Sequence, residues 1–337
     1  MNPVELFFHH GAYTLTRIAD ASDRFRDFMP YVASVNDAGV VAFQATLRVG
    51  GSSAYTAEGG VISAVIDPLT DPLSEVISHA DINQEGSTSF YGTLPTGGRG
   101  VFAVRNGVVI TIAETGGSLG PTMNDDGTVA FRAEPQSGVS AILTGSGGPV
   151  TAIADTRGPL SAFHGLPVIN NGGAVVFRAD RKAGGDGIYL GDGGPLVAIA
   201  ETEEFFSELG DFPVMNDAGI VAFCARLSSG GSGIFAVSNG HVAPVMDTSG
   251  PFESYRGVLL NNAGRIVFYA TPRGGELGVF TGPDPRTDFL IGLGAPLFGS
   301  TVVDFALNPV SMNDVGQVAI RVKLADETQI ILRADPV

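Results

Sequence analysis

Apolar residues alternate with small or polar ones in short runs along the whole chain, and glycine-rich turns separate the runs. The pattern is plainest between residues 212 and 246. Phe212-Pro-Val-Met215 reads as a short strand, Asn216-Asp-Ala-Gly219 as a turn, and Ile220 to Leu227 as a second strand. Ser228 to Gly233 is a second turn, Ile234 to Ser238 a third strand, Asn239-Gly240 a tight hairpin, and His241 to Met246 a fourth strand. Alternation with a period of two, broken by Gly and Asn, is the pattern of half-buried β-strands, and no segment follows the 3.6-residue period of a helix.

This unit recurs. Asn-x-x-Gly opens it at Asn36, Asn83, Asn124, Asn170, Asn216, Asn261 and Asn313, at intervals of 47, 41, 46, 46, 45 and 52 residues. Asn first and Gly fourth mark a type I turn closed by a left-handed glycine. Four short antiparallel strands in about 45 residues make one blade of a β-propeller. β-Helix coils are shorter, and immunoglobulin-like sandwiches need about 100 residues each. The seventh unit stops one strand short, while Tyr13-Thr-Leu-Thr-Arg-Ile-Ala-Asp20 matches the fourth strands Val150 to Asp155 and Leu196 to Glu201. The expectation is an all-β, seven-bladed β-propeller with four-stranded antiparallel blades, a single domain over 1–337. Its N-terminal strand, about 12–20, completes the last blade, about 309–334. Closing the ring leaves no open sheet edge at the join.

The Asn-x-x-Gly-x-Val-Ala-Phe element, the strand Gly233-Ile-Phe235 and the segment Met246 to Phe252 also resemble the bacterial tandem NxxGxxAF-repeat proteins. The resemblance covers nearly the whole chain. It implies a repeat fold and, in that family, frequent export or surface anchoring, with no functional residues to carry over. This chain departs from it by showing neither signal nor anchor. Met1 to His10 has no basic segment and no long apolar stretch, so the expectation is a cytoplasmic protein, exported only if a leader has been trimmed.

Composition changes the picture in three respects. A formal charge of −16, with only Lys182 and Lys323 as lysines, argues against nucleic acid as a partner, and no run is long enough to span a membrane. The single cysteine, Cys224, excludes an intramolecular disulfide and reads as an incidental thiol. It stands in a strand position held elsewhere by Gln44, Tyr91, Arg132, Arg178, Tyr269 and Arg321. The absence of tryptophan weakens a sugar-lectin reading. A monomer is expected.

Candidate chemistry falls into three groups. Acids recur where a fourth strand ends, at Asp20, Asp67, Glu114, Asp155, Glu201 and Asp247, with Gly292 in the seventh place. A carboxylate ring there would hold Ca²⁺ or a cationic ligand; the structural alternative, favoured because the acids recur with the repeat, is that each caps its own loop or pairs with a neighbouring strand arginine such as Arg132, Arg178 or Arg321. In the position two before the turn asparagine, Asp81 is the one charge among Ser34, Thr122, Val168, Val214, Leu259 and Ser311. His79 lies on the same strand face, so the pair would act as base and orienter, or else close an irregular second blade. His164, Tyr255 and Arg256 are assigned to loops between blades, where they would suit an aromatic or anionic small molecule; inter-blade packing is the alternative.

The G-x-S-x-G motif at Gly116 to Gly120 lacks the helix that a nucleophile elbow needs, and His9-His10 reads as a frayed terminus. Because no catalytic constellation rises above the repeat, the leading expectation is a module binding a small molecule or protein on the loop-rich face of the channel. The alternative is an enzyme of natural-product metabolism, acting on an aromatic substrate through His79, Asp81, His164, Tyr255 and Arg256.

Overall fold

Each Asn-x-x-Gly segment reverses the chain with the same bonds. In the first, the Gly39 amide donates to the Asn36 carbonyl at 2.9 Å, and the Val40 amide donates to Asn36 Oδ1 at 3.0 Å. Gly39 has φ of +78°, the left-handed region that an L side chain disfavours, and the six equivalent glycines share it. The computed structural model describes residues 8, 11–67, 73–116, 120–134, 138–203 and 205–337, so His9, His10 and Ser118 lie outside the described residues.

Seven antiparallel sheets result, forming the blades of a seven-bladed propeller. The last blade is closed as expected: Tyr13–Asp20 pairs antiparallel with Gln329–Pro336, Tyr13 opposite Pro336 and Asp20 opposite Ile330. The second and third strands carry stacked aromatic pairs, Phe43 with Tyr55, Phe223 with Phe235 and Phe268 with Phe280, with ring centroids 5.8, 6.0 and 6.0 Å apart. Phe25, Phe206 and Phe252 from the innermost strands complete these clusters.

The innermost strands differ from the sequence reading. In the fifth blade the innermost strand begins at Phe206–Leu209, breaks, and resumes at Val214–Met215, both parts pairing with Val221–Leu227. In the fourth and sixth blades it is continuous, as Leu160–Ile169 and Phe252–Leu260. His164, Tyr255 and Arg256 therefore lie on strands, not in loops. The cause is irregular register: pairing shifts between Leu160 and Ala162, His164 and Val168, Phe252 and Ser254, and Tyr255 and Gly257. Each shift breaks the alternation by which a strand is recognised in sequence.

The asparagines also join the blades. Asn36 Nδ2 donates to the Asn83 carbonyl, Asn83 to Asn124, Asn124 to Asn170, Asn170 to Asn216, Asn216 to Asn261, and Asn261 to Asn313. Asn313 returns to the Asn36 carbonyl at 2.7 Å, so the seven bonds form a closed circle. The next residues form a second circle: the amides of Asp37, Gln84, Asp125, Asn171, Asp217, Asn262 and Asp314 each donate to the side-chain oxygen of the following member. Acid and amide alternate around it, but seven is odd, and Asp314 and Asp37 meet without an amide between them. Burial first, and then Asp37 and Asp217, push the Asp314 carboxyl above its usual range.

Asparagine is required in the first circle because one side chain must accept within its turn and donate to the next blade. Replacing buried Asn261 by Asp keeps the acceptor but sets a carboxylate against the Asn313 carbonyl, now 3.0 Å away. Asn261→Asp is expected to lower unfolding stability by about 2–3 kcal/mol in urea titrations, the cost of a lost bond and an unsatisfied buried group. Asp37→Asn, which removes the acid–acid contact, is expected to raise stability by a few tenths of a kcal/mol.

Candidate functional site

Two further sets of side chains cross between blades, and the places where each departs from its own rule are the informative ones. The first is the position two before the turn asparagine. Ser34, Thr122 and Ser311 donate their hydroxyls to the carbonyls of Ala80, Pro167 and Ala33 in the following blade, at 2.9, 2.9 and 2.6 Å. Thr122 Oγ1 also accepts from the Ile169 amide at 3.2 Å.

In the second blade this work is divided between two residues. His79 Nε2 meets the Pro121 carbonyl at 3.1 Å, and Asp81 Oδ2 accepts from the Met123 amide at 2.7 Å. A carbonyl partner requires the Nε2–H form of the imidazole. His79 Nδ1 faces Asn308 Nδ2 at 3.4 Å, and Gly120 leaves room for the ring, since a Cβ there would lie 2.2 Å from His79 Cε1. Both His79 and Asp81 are buried, and together they do for the third blade what one hydroxyl does elsewhere. Burial pushes the Asp81 carboxyl from 3.8 up to about 7, partly offset by hydrogen bonds from the Met123 and Ile82 amides.

The second set is the position that follows the Ala-Phe of the second strand. Gln44 Nε2 reaches the Val76 carbonyl, Tyr91 the Arg132 carbonyl, Arg132 the Phe163 carbonyl, and Tyr269 the Leu307 carbonyl, each in the following blade. Arg178 spans to Asp211 of the fifth blade while also holding Asp186 of its own. Arg321 turns back to Asp304 of its own blade at 2.8 Å. At the fifth blade the residue is Cys224, whose thiol makes no hydrogen bond across the joint but packs in an apolar cluster with Phe252 and Tyr255 of the sixth blade, and a pocket of about 670 Å³ opens beside it.

The pocket is walled by Leu209 to Phe212 at the break in the fifth innermost strand and by Cys224 to Arg226. Its far side is Ser254, Tyr255 and Arg256 of the sixth blade. Gly165 supports the break from behind, because a Cβ there would lie 1.8 Å from the Asp211 carbonyl oxygen. Tyr255 is buried, its hydroxyl donates to the Asp247 carbonyl at 3.1 Å, and burial pushes it up to about 12. Burial likewise pushes the Cys224 thiol up to about 12, which keeps it protonated and unreactive near neutral pH.

Of the five residues expected to act together, Tyr255 and Arg256 line this pocket, and His79 and Asp81 sit at the joint of the second and third blades. His164 is absent from the pocket lining, with Nε2 2.9 Å from Asp180 Oδ1 in its own blade. Four of the recurring acids act within their own blades. Asp20, Asp155 and Asp247 accept from the amides two residues on, and bonds from Ser22, Arg157 and Ser249 hold their carboxyls below the usual range. Glu201 pairs with Arg181 and accepts from the Tyr189 hydroxyl at 2.8 Å. Asp67 and Glu114 end the corresponding stretches of the first two blades. Among the described residues no group of three His, Cys, Asp or Glu side chains is arranged to hold a metal. Sequence reasoning missed Glu208, Asp211 and Arg226, and it read Cys224 as incidental; its signal was a short residue in a column of long ones.

These features define a seven-bladed β-propeller with a polar pocket on the flank of its fifth blade. The chain belongs to a family of unknown function, DUF7453, whose model matches residues 70–331. No curated protein matches the sequence. Among solved structures, an oligogalacturonate lyase in complex with manganese is similar with a TM-score of 0.61 at 12% identity, over 100% of this chain and 97% of that one. The oligogalacturonate lyase of Vibrio parahaemolyticus gives 0.56 at 11%, over 96% and 97% of the two chains. The polysaccharide lyase Uly1 gives 0.52 at 10%, over 92% and 91%. At these identities the likeness is one of fold. No helix among the described residues is long and apolar enough to cross a membrane.

Asp81 makes stability depend on pH. Its folded-state pKa is raised from 3.8 to about 7, so its contribution is fully present below 3.8 and is lost as pH rises through about 7. Urea titrations across that window are expected to show a downward component of at most about 1.4 kcal/mol per pH unit. Asp81→Asn, whose amide oxygen can still accept from Met123, should remove that component; an unchanged slope would refute the assignment.

Proposed function

We propose that the chain is a small-molecule-binding propeller whose site is the pocket between its fifth and sixth blades. The observation that carries this reading is the interruption of the inter-blade ladder at Cys224. Four of the six equivalent side chains bond to the backbone of the following blade and a fifth, Arg178, pairs there with Asp211; at Cys224 that bond is missing and a solvent-open pocket of about 670 Å³ lies beside the joint. A cavity of that size lies within the ordinary range of ligand sites. The narrower space at the asparagine-turn end of the channel, about 150 Å³, is too small for most metabolites.

Cys224→Tyr tests this, because tyrosine occupies the same position at Tyr91 and Tyr269 and bonds to the next blade there. An overpacked core loses about 1–3 kcal/mol when a small residue is enlarged. Here the variant is expected to keep or raise the melting temperature and to lose the small molecules that native mass spectrometry finds on the wild-type protein. Destabilisation, or unchanged ligand retention, counts against the site.

The second reading is an enzyme working in the same pocket. It is favoured by an exposed carboxylate, Glu208, placed 3.8 Å from Arg226 at the cavity wall, where a base would stand. The lyases that share the fold make acidic polysaccharides the first substrates to try. Release of an ultraviolet-absorbing unsaturated product from oligogalacturonate, lost in Glu208→Gln, would establish it; no product would retire that substrate.

A further inference from the structure

We infer that the ligand of this pocket carries an anionic oxyacid group, and that Arg256 is its anchor. The inference rests on the reading of the pocket as a binding site and adds the chemistry that the site selects. Three guanidinium groups line the cavity, those of Arg178, Arg226 and Arg256, against the carboxylates of Glu208 and Asp211. With Asp186, which also pairs with Arg178, three arginines meet three carboxylates, so the site is balanced in a chain whose formal charge is −16 and Arg256 is the guanidinium left over for a ligand.

The three arginines are not equivalent. Arg178 is spent, since its Nε bonds Asp186 at 2.7 Å and its Nη1 pairs with Asp211, so it fixes the break in the fifth blade and has little capacity left. Arg226 is two-thirds exposed and only loosely held, its Nε lying 3.8 Å from Glu208. Arg256 is exposed at the rim and has no side-chain partner among the described residues. A guanidinium in that state presents a planar fork of donors to carboxylate or phosphate oxygens. Arg226 can exchange its long contact with Glu208 for a second one to the same ligand.

The surrounding negative charge does not prevent this. Exposed charges more than about 8 Å away are screened at physiological ionic strength, whereas a contact ion pair at the rim is screened less. Phe212, half-buried in the pocket wall, supplies apolar surface for the rest of the ligand. An acidic sugar or an aromatic acid has both parts, an oxyacid for Arg256 and a flat body for Phe212.

The test uses matched probes at 150 mM salt: glucuronate, glucose and glucose 6-phosphate, and benzoate, benzyl alcohol and phenyl phosphate. Binding is followed by titration calorimetry and thermal shift on the wild-type protein and on Arg256→Gln, Arg226→Gln and Cys224→Tyr. The acidic member of a set is expected to bind about tenfold or more tightly than its neutral partner, a difference that one charge-assisted pair supplies. Arg256→Gln should abolish the preference while leaving the neutral probe and the melting temperature unchanged, and Arg226→Gln should weaken it. Preference for the carboxylate or for the phosphate ester identifies which oxyacid the site takes. Equal binding of acid and neutral members, an unchanged preference in Arg256→Gln, or no binding of any probe overturns the anion. Binding that Cys224→Tyr does not remove overturns the pocket itself, whereas neutral binding that it does remove leaves the pocket standing without the anion.

Discussion

The circle of asparagine hydrogen bonds at the turn end of the channel is the interaction on which the rest of the molecule depends. A propeller blade cannot bury both its faces alone, so each must find a neighbour on either side, and the last must find the first. Asparagine solves the local and the global problem with one side chain. Its oxygen closes a four-residue turn and its nitrogen bonds the next turn, and after seven repetitions Asn313 meets Asn36. Closure by the Tyr13–Asp20 strand then completes at the rim what the asparagines secure at the centre.

Against that regular frame, the departures acquire meaning by their position. The second blade divides between His79 and Asp81 a joint that Thr122 makes with one hydroxyl. The sixth interval, from Asn261 to Asn313, is longer, and Asn308 within it reaches back to His79. The odd number of blades forces two acids, Asp314 and Asp37, to meet in a circle that otherwise alternates. Each of these is a solution to a packing or bonding demand. Cys224 is different in kind, since apolar packing replaces the inter-blade bond there and a pocket open to solvent lies beside it.

The candidate site was only partly legible. Tyr255 and Arg256 stood out as residues that do not repeat, and they do line the cavity. Arg226, Glu208 and Asp211 did not, because surface charges on strands look alike in sequence whether or not a void lies beside them. Cys224 was visible as an exception in its column, but its consequence was not. The pocket forms where the innermost strand of the fifth blade breaks before Phe212, a break supported by Gly165 and Arg178.

What the sequence by itself determined is the part governed by local chemistry and repetition. Turn residues that need a left-handed glycine, strands with a period of two, and an interval near 45 residues lead to blades, their number and their closure without reference to distant contacts. Only the tertiary structure decided that the turn asparagines form a circle, that His79 and Asp81 belong to a joint, and that Asp20, Asp155 and Asp247 cap their own loops. It also decided that the one cysteine faces an open pocket. The acids apart, whose partners are near in sequence, these are properties of pairs of residues some 40 to 280 positions apart, brought to within 4 Å by the closing of the ring, and no periodicity along the chain encodes such a distance.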